Sequence, residues 1–225
     1  MAIFKTLKVN GQAWTAAQKF EWIFWYGLKR MGITVCGVYL RAPQGDTNLP
    51  PQPEGYTFHT GRPIELLPYL DQCDQLSEEF LLEADQREDF CGWAMLGGVL
   101  AGFRFCTTKR VLVTSQIDIW VPNGFIYAYK AYVLPEHRRK HIDRWNSHVT
   151  DLKVAKTNYR WVWYSHMDNF PQRLNGDTHP NRRAQRFGLT GWIKLFGHQI
   201  PFSTRSAKWL NVRFLKKGDQ PRRTL

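Results

Sequence analysis

Between residues 13 and 31 the chain reads AWTAAQKFEWIFWYGLKRM, a run of helix formers closed by Lys29 and Arg30, where cations complement the negative end of a helix dipole. On this predicted helix Phe20, Ile23, Phe24 and Leu28 share a stripe while Trp22, Trp25 and Tyr26 point elsewhere. Two settings suit a helix that is aromatic on more than one face. It either buries between the domain and the chain's own N-terminal residues, or rests on lipid with Lys19, Lys29 and Arg30 at the headgroups.

Residues 33–40 are β-branched and predict a strand, and residues 41–55, rich in Pro, Gly, Asn and Gln, predict a loop and a boundary. The expected division is therefore an N-terminal helix-and-strand extension (1–55), a main domain (56–215) and a basic tail (216–225). Within the main domain, residues 56–58 predict a strand. Residues 65–86 carry Leu66, Leu67, Leu70, Cys73, Leu76, Phe80 and Leu81 at helical spacing among carboxylates and predict one acidic helix. Apolar runs at 91–94 and 99–106 about Gly97-Gly98 predict a hairpin. Strands are expected over 111–121 and 124–133, a helical stretch to about residue 157, and an aromatic strand over 159–166. Irregular chain (167–180), a short helix (181–187) and a hairpin formed by 191–196 and 199–202 complete the order, which is that of a mixed α/β fold.

Composition narrows the setting. With 225 residues, 43% hydrophobic and 15% aromatic, the chain is long enough and apolar enough to bury a sizeable core. Cys36, Cys73, Cys91 and Cys106 are unevenly spaced with no C-x-x-C pair, which predicts reduced, buried thiols. The opening residues lack the pattern of a secretory signal, and no stretch offers about 20 consecutive apolar residues, so a cytoplasmic protein is expected, with membrane association only through the aromatic helix. The net charge of +12 is asymmetric: residues 130–225 hold 20 Lys/Arg against 6 Asp/Glu. That field favours an anionic partner, whether a nucleotide cofactor, nucleic acid, an acidic carrier protein or an anionic membrane.

One unit carries chemistry. The strand ending at Tyr132-Val133 runs into Leu134-Pro135-Glu136-His137-Arg138 and then a helix. A helix N-terminus offers unpaired backbone N–H groups to phosphate oxygens, and Arg138, Arg139 and Lys140 add charge. This Val-x-Pro-Glu-x-Arg stretch resembles the pyrophosphate-binding signature of the GCN5-related N-acetyltransferases, and the order of elements over residues 56–202 is similar to theirs. The resemblance implies a mostly antiparallel central sheet flanked by helices, here with an N-terminal helical extension. It also implies acetyl-coenzyme A or a longer acyl-coenzyme A as donor, an amine as acceptor, and no metal. Tyr132, Val133, Arg138, Arg139, Lys140, His141 and Ile142 would border the donor. The family pattern, Arg/Gln-x-x-Gly-x-Gly/Ala, is met by Arg138, whereas His141 and Asp143 stand at its two small-residue positions. Three outcomes are compatible with that departure: a shifted coenzyme A pose, a donor presented on an acidic acyl carrier protein, or a non-catalytic binding module.

The family's catalytic tyrosine is missing after Asn181-Arg182-Arg183-Ala184, so Tyr164 and His166 are its candidate replacements, with Tyr129 beside Asp118, Tyr127 and Lys130 lining the acceptor side. Tyr127 and Tyr129 are expected on one strand face and Lys130 on the other. His137 and His141 lie four apart without a third ligand, and neither G-x-S-x-G nor G-x-x-x-x-G-K-[ST] is present. A rival reading from another class is nucleic-acid binding through Arg182, Arg183, Arg186, Lys216, Lys217, Arg222 and Arg223 with Trp161, Trp163 and Trp192 stacking on bases.

Overall fold

The computed structural model describes residues 8–9, 12–13, 16–43, 49–114, 117–166, 185–195, 198–205 and 212–214. β1 (Lys8–Val9) and β2 (Gln12–Ala13) pair ahead of α1 (Ala16–Arg30). β3 (Ile33–Arg41) and β4 (Tyr56–Gly61) follow, then a 3-10 helix over Pro63–Gln72 and α2 (Glu78–Gln86). Next come β5 (Phe90–Leu96), β6 (Val99–Thr107), β7 (Val111–Thr114), β8 (Ile117–Ile119) and β9 (Phe125–Val133). A 3-10 turn at Pro135–His137 leads to α3 (Ile142–Ala155), β10 (Arg160–His166), β11 (Gln185–Leu195), β12 (His198–Ser203) and β13 (Val212–Phe214).

The central sheet runs β12-β11-β3-β10-β9-β6-β5-β4, and every neighbouring pair is antiparallel except β9 with β10. The fold is thus mixed α/β with a mostly antiparallel sheet flanked by helices. β3 sits between β10 and β11, so chain on both sides of the 41–55 loop builds one sheet. A smaller sheet, β13-β8-β7, covers a core of Val38, Leu40, Val111, Ile119, Tyr127 and Val162. On one face of the central sheet the 3-10 helix and α2 bury Leu66, Leu81 and Ala84 against Trp93, Phe103 and Phe105. On the other, α3 lays Ile142 and Val154 against Ala94, Ala101, Cys106 and Ile126. All four cysteines are buried and free. Among the described residues no helix is long and apolar enough to cross a membrane.

The β5–β6 hairpin forms where expected, because Gly97 and Gly98 take φ of +58° and +85°, the left-handed pair that a two-residue hairpin turn requires. Four expectations are corrected. The single helix over 65–86 is two elements: the first, with Pro68 inside it, is a 3-10 helix, Cys73 leaves it in extended conformation, and the Ser77 side chain accepts from the Phe80 N–H to start α2 afresh. The strand over 111–121 is two antiparallel strands, β7 and β8, paired from Val111–Ile119 to Thr114–Ile117. Gln185, Arg186 and Phe187 begin β11 rather than end a helix, since pairing of Gln185 with Leu40 and Arg186 with Tyr39 on β3 overrides the local pattern; residues 181–184 lie outside the described residues. The Phe20 stripe of α1 is largely not buried: Phe20, Ile23 and Phe24 are exposed and Leu28, like Trp22 and Trp25, is half-buried, while α1 as a whole contacts β3.

Candidate functional site

The site begins where one ladder stops. β9 is held by β6 along its length, from Thr107–Tyr127 to Gly102–Val133. On its other side, parallel register with β10 runs only from Phe125–Arg160 to Tyr127–Val162. Beyond Val162 β10 continues in antiparallel register with β3, from Trp163–Tyr39 to His166–Cys36. Two parallel neighbours that keep different partners part at their carboxyl ends. Backbone from Ala128 to Val133 is left outside the β9–β10 ladder, at the end of the strands where α/β sheets receive ligands.

At that point β9 carries a bulge. Phe105 pairs with Lys130 and Cys106 with Ala128, so Tyr129 is the extra residue. The bulge corrects the expected alternation: Lys130 lies on the same side as Tyr129, with its Nζ donating to the Gln75 carbonyl at 2.6 Å and standing 4.0 Å from the centre of the Phe80 ring. The Tyr129 hydroxyl donates to Asp89 Oδ2 at 2.8 Å and accepts from an Arg87 Nη at 3.2 Å, and the same Arg87 nitrogen donates to Asp89 Oδ2 at 2.9 Å. Burial raises the Tyr129 phenol above its ordinary range, and the Asp89 carboxylate adds to it. Burial likewise raises Asp89, against the pull of Arg87 and the Tyr129 hydroxyl.

The loop after β9 is built from short local bonds. Leu134 N–H donates to the Ala101 carbonyl, and Arg138 Nε reaches back to the Val133 carbonyl at 3.1 Å with its guanidinium over the Tyr132 ring. Arg139 and His141 adopt φ of +64° and +61°, so His141 keeps the left-handed backbone that favours glycine while carrying a side chain. His141 is the N-cap of α3 and no side chain caps this end, which leaves the amides of the first turn to solvent or to an anion. Arg138, Arg139, Lys140 and His141 are exposed, as is Asp143 in the first turn. Behind them Tyr56 ties the loop to β4: Lys140 Nζ donates to its hydroxyl at 3.2 Å, and that hydroxyl bonds buried His137 Nδ1 at 2.8 Å. Burial lowers the His137 basicity.

The structure therefore brings Tyr129, Tyr132, Val133 and the 138–142 loop to the β9 side of the parting, with Ile142 buried under it. Tyr164 and His166 fall on the β10 side, in backbone register with Val38 and Cys36. Asp118 and Tyr127 are elsewhere, the first on β8 of the small sheet and the second in the core beneath it. Trp161 is buried among Cys106, Ile126 and Val154, so it offers no stacking face to a base, and Lys216, Lys217, Arg182, Arg183, Arg222 and Arg223 lie outside the described residues. Arg87, Asp89 and Tyr56 were missed by sequence reasoning. The one available signal was an aspartate directly before the apolar run of β5.

No protein-family model matches the chain, and no curated protein sequence matches it. Among solved structures it is similar to a GCN5-related N-acetyltransferase from Kribbella flavida, at 13% identity over 84% of this chain and 66% of that one, with TM-score 0.45. It is also similar to a protein of unknown function from Staphylococcus epidermidis, at 10% identity over 74% of this chain and 64% of that one, TM-score 0.43. A third is a ribosomal-protein-alanine N-acetyltransferase from Brucella melitensis biovar Abortus, at 17% identity over 47% of this chain and 76% of that one, TM-score 0.33.

Proposed function

We propose that this chain is an acyltransferase of the GCN5-related type, moving an acyl group from a thioester donor to an amine. The observation that carries the proposal is the parting of β9 from β10 after Tyr127–Val162, beside an uncapped α3 N-terminus that follows Arg138, Arg139 and Lys140. The residues present fit a phosphorylated donor: three exposed cations and free first-turn amides favour pyrophosphate oxygens, and the positive φ at His141 preserves a backbone path that a glycine would take. Exposed Glu136 and Asp143 offset part of that charge.

Coenzyme A, or the phosphopantetheine of an acidic carrier protein, supplies the thioester whose carbonyl carbon the amine attacks. Backbone amides of β9 beyond Tyr127 then polarise the carbonyl oxygen as it gains charge. Tyr129, held protonated by burial and by Asp89, bears on the β9 wall and keeps the bulge in place. Tyr164 and His166, on the facing strand, are the proposed partners for the two proton transfers, one leaving the attacking amine and one reaching the departing thiolate.

Isothermal titration with acetyl-coenzyme A and with a long-chain acyl-coenzyme A tests the reading. Micromolar binding that Arg138→Ala/Arg139→Ala weakens about ten- to a hundredfold is expected, from the loss of charge-assisted bonds. Binding that those substitutions leave unchanged removes the donor from this loop. Binding of neither compound, with acyl transfer from a carrier protein, moves the donor to the carrier.

A further inference from the structure

α1 presents an apolar stripe to open space. Phe20 is 73% exposed, Ile23 43%, Phe24 49% and Met31 66%. On a helix of 3.6 residues per turn these four and Gly27 fall within about 100° of one another, a continuous band along the helix. Among the described residues its middle is uncrowded: a Cβ placed on Gly27 would meet no heavy atom within 4 Å. Lys19 and Arg30 come next along one border, and Arg30 is braced there by its bond to the Tyr26 hydroxyl at 3.0 Å. Glu21, the acidic residue of α1, is half-buried beyond the other border and accepts from Trp25 Nε1 at 3.3 Å.

We propose that α1 is an interfacial helix, with Phe20, Ile23, Phe24 and Met31 resting in the surface of an anionic lipid bilayer and Lys19 and Arg30 meeting its headgroups. The occupant of this face has to be apolar at the stripe and negative at its border. A flat anionic bilayer is both along the whole length of the helix, and long cationic side chains reach its headgroups while their stems stay in the apolar layer. A second copy of the chain fits less well, because it would bring two proteins of net charge +12 together across borders of the same sign. Apolar contact supplies the depth and charge supplies the preference for anionic lipid, so the two contributions separate experimentally. The proposal does not rest on the acyltransferase reading.

The test is sedimentation of the full chain with vesicles of phosphatidylcholine alone and of phosphatidylcholine mixed with phosphatidylglycerol, with light scattering of the free protein alongside. Wild type is expected to sediment with the mixed vesicles and to stay in solution with phosphatidylcholine alone. Phe20→Ser/Phe24→Ser lowers partitioning at least about tenfold, given the apolar area lost, while a melting curve checks that the variant, which also loses the Phe24–Trp25 ring contact, stays folded. Lys19→Glu/Arg30→Glu weakens binding to the mixed vesicles, and high salt reproduces that loss in wild type. The proposal is overturned if wild type ignores anionic vesicles, or if the Phe20→Ser/Phe24→Ser variant sediments as wild type does. It is equally overturned if the free protein is a dimer that this variant splits, which would give the stripe to a second copy.

Discussion

The two faces of the central sheet are held by different forces. Against α2 and the 3-10 helix the contact is apolar, with Leu66, Leu81 and Ala84 on Trp93, Phe103 and Phe105, and Phe80 edge-on to Phe105 at 4.9 Å. Against α3 the middle of the interface is polar. Asn146, Thr150 and Asp151 are all buried, and Asp151 takes a bidentate pair from Arg41 on β3 at 2.6 and 2.7 Å. Arg41 and Arg104 also lie over the Trp161 ring. Gly92 allows the close approach, since a Cβ there would stand 2.6 Å from Thr150 Cγ2. Apolar packing is non-directional, whereas a guanidinium–carboxylate fork sets both angle and register. The helix whose N-terminus forms the proposed donor loop is the one clamped by directional bonds.

The sharpest way to break this contrast is Asp151→Ala, which takes the carboxylate away from the buried Arg41 guanidinium and is expected to cost about 3–5 kcal/mol in denaturant unfolding. Arg41→Met/Asp151→Leu should recover most of that loss, because a packed apolar pair avoids the desolvation of two charges. If the clamp positions α3, the double variant still binds acyl-coenzyme A more weakly than wild type. Donor affinity equal to wild type would reduce the ion pair to a stabilising role. On the opposite face, Leu81→Ala should cost about 2–5 kcal/mol through the cavity it leaves while donor affinity stays unchanged; a matching loss of affinity would erase the distinction between the faces.

A smaller effect follows from His137. His137 shares a bond at 2.8 Å between its Nδ1 and the Tyr56 hydroxyl, to which the Lys140 ammonium also donates. Burial lowers the folded pKa of His137 below that of the unfolded chain, so the unfolded state binds more protons in that window. The stabilisation is complete above about pH 6.5 and is lost as pH falls toward the lower folded value. Melting temperatures of wild type and His137→Gln, compared from about pH 7.5 to about pH 5, should converge as pH drops; parallel curves would show that His137 does not titrate with folding. The smallest expected change is a gain of up to about 1 kcal/mol in His141→Gly, from relief of the left-handed backbone. A net loss there would mean that the imidazole itself holds the α3 terminus.

Much of the architecture could be read from local pattern. The helix expected over 13–31 appears as Ala16–Arg30, the β5–β6 hairpin turns at Gly97-Gly98, and the β9-loop-α3 unit stands where Val133 to Arg138 placed it. Two of the failures share a long-range cause. Gln185 to Phe187 were drawn into a sheet by β3, some 145 residues earlier in the chain, and the side of Lys130 was decided by a bulge that depends on β6. Tyr129 was readable as a strand tyrosine, but its Asp89 and Arg87 partners, separated from it by 40 and 42 positions, were not.

Period and turn chemistry act over a few residues, and they were enough to specify α1, the β5–β6 hairpin, the mixed α/β class and the cationic loop ahead of α3. Contacts between distant residues decided the rest: β3 inserted between β10 and β11, the parting of β9 from β10, and the exposure of the Phe20 stripe. Arg41 meets Asp151 across 110 positions and Tyr56 meets His137 across 81. Whether a polar group is buried and paired, or an apolar stripe covered, depends on what the folded chain brings opposite it, and no window of neighbouring residues contains that information.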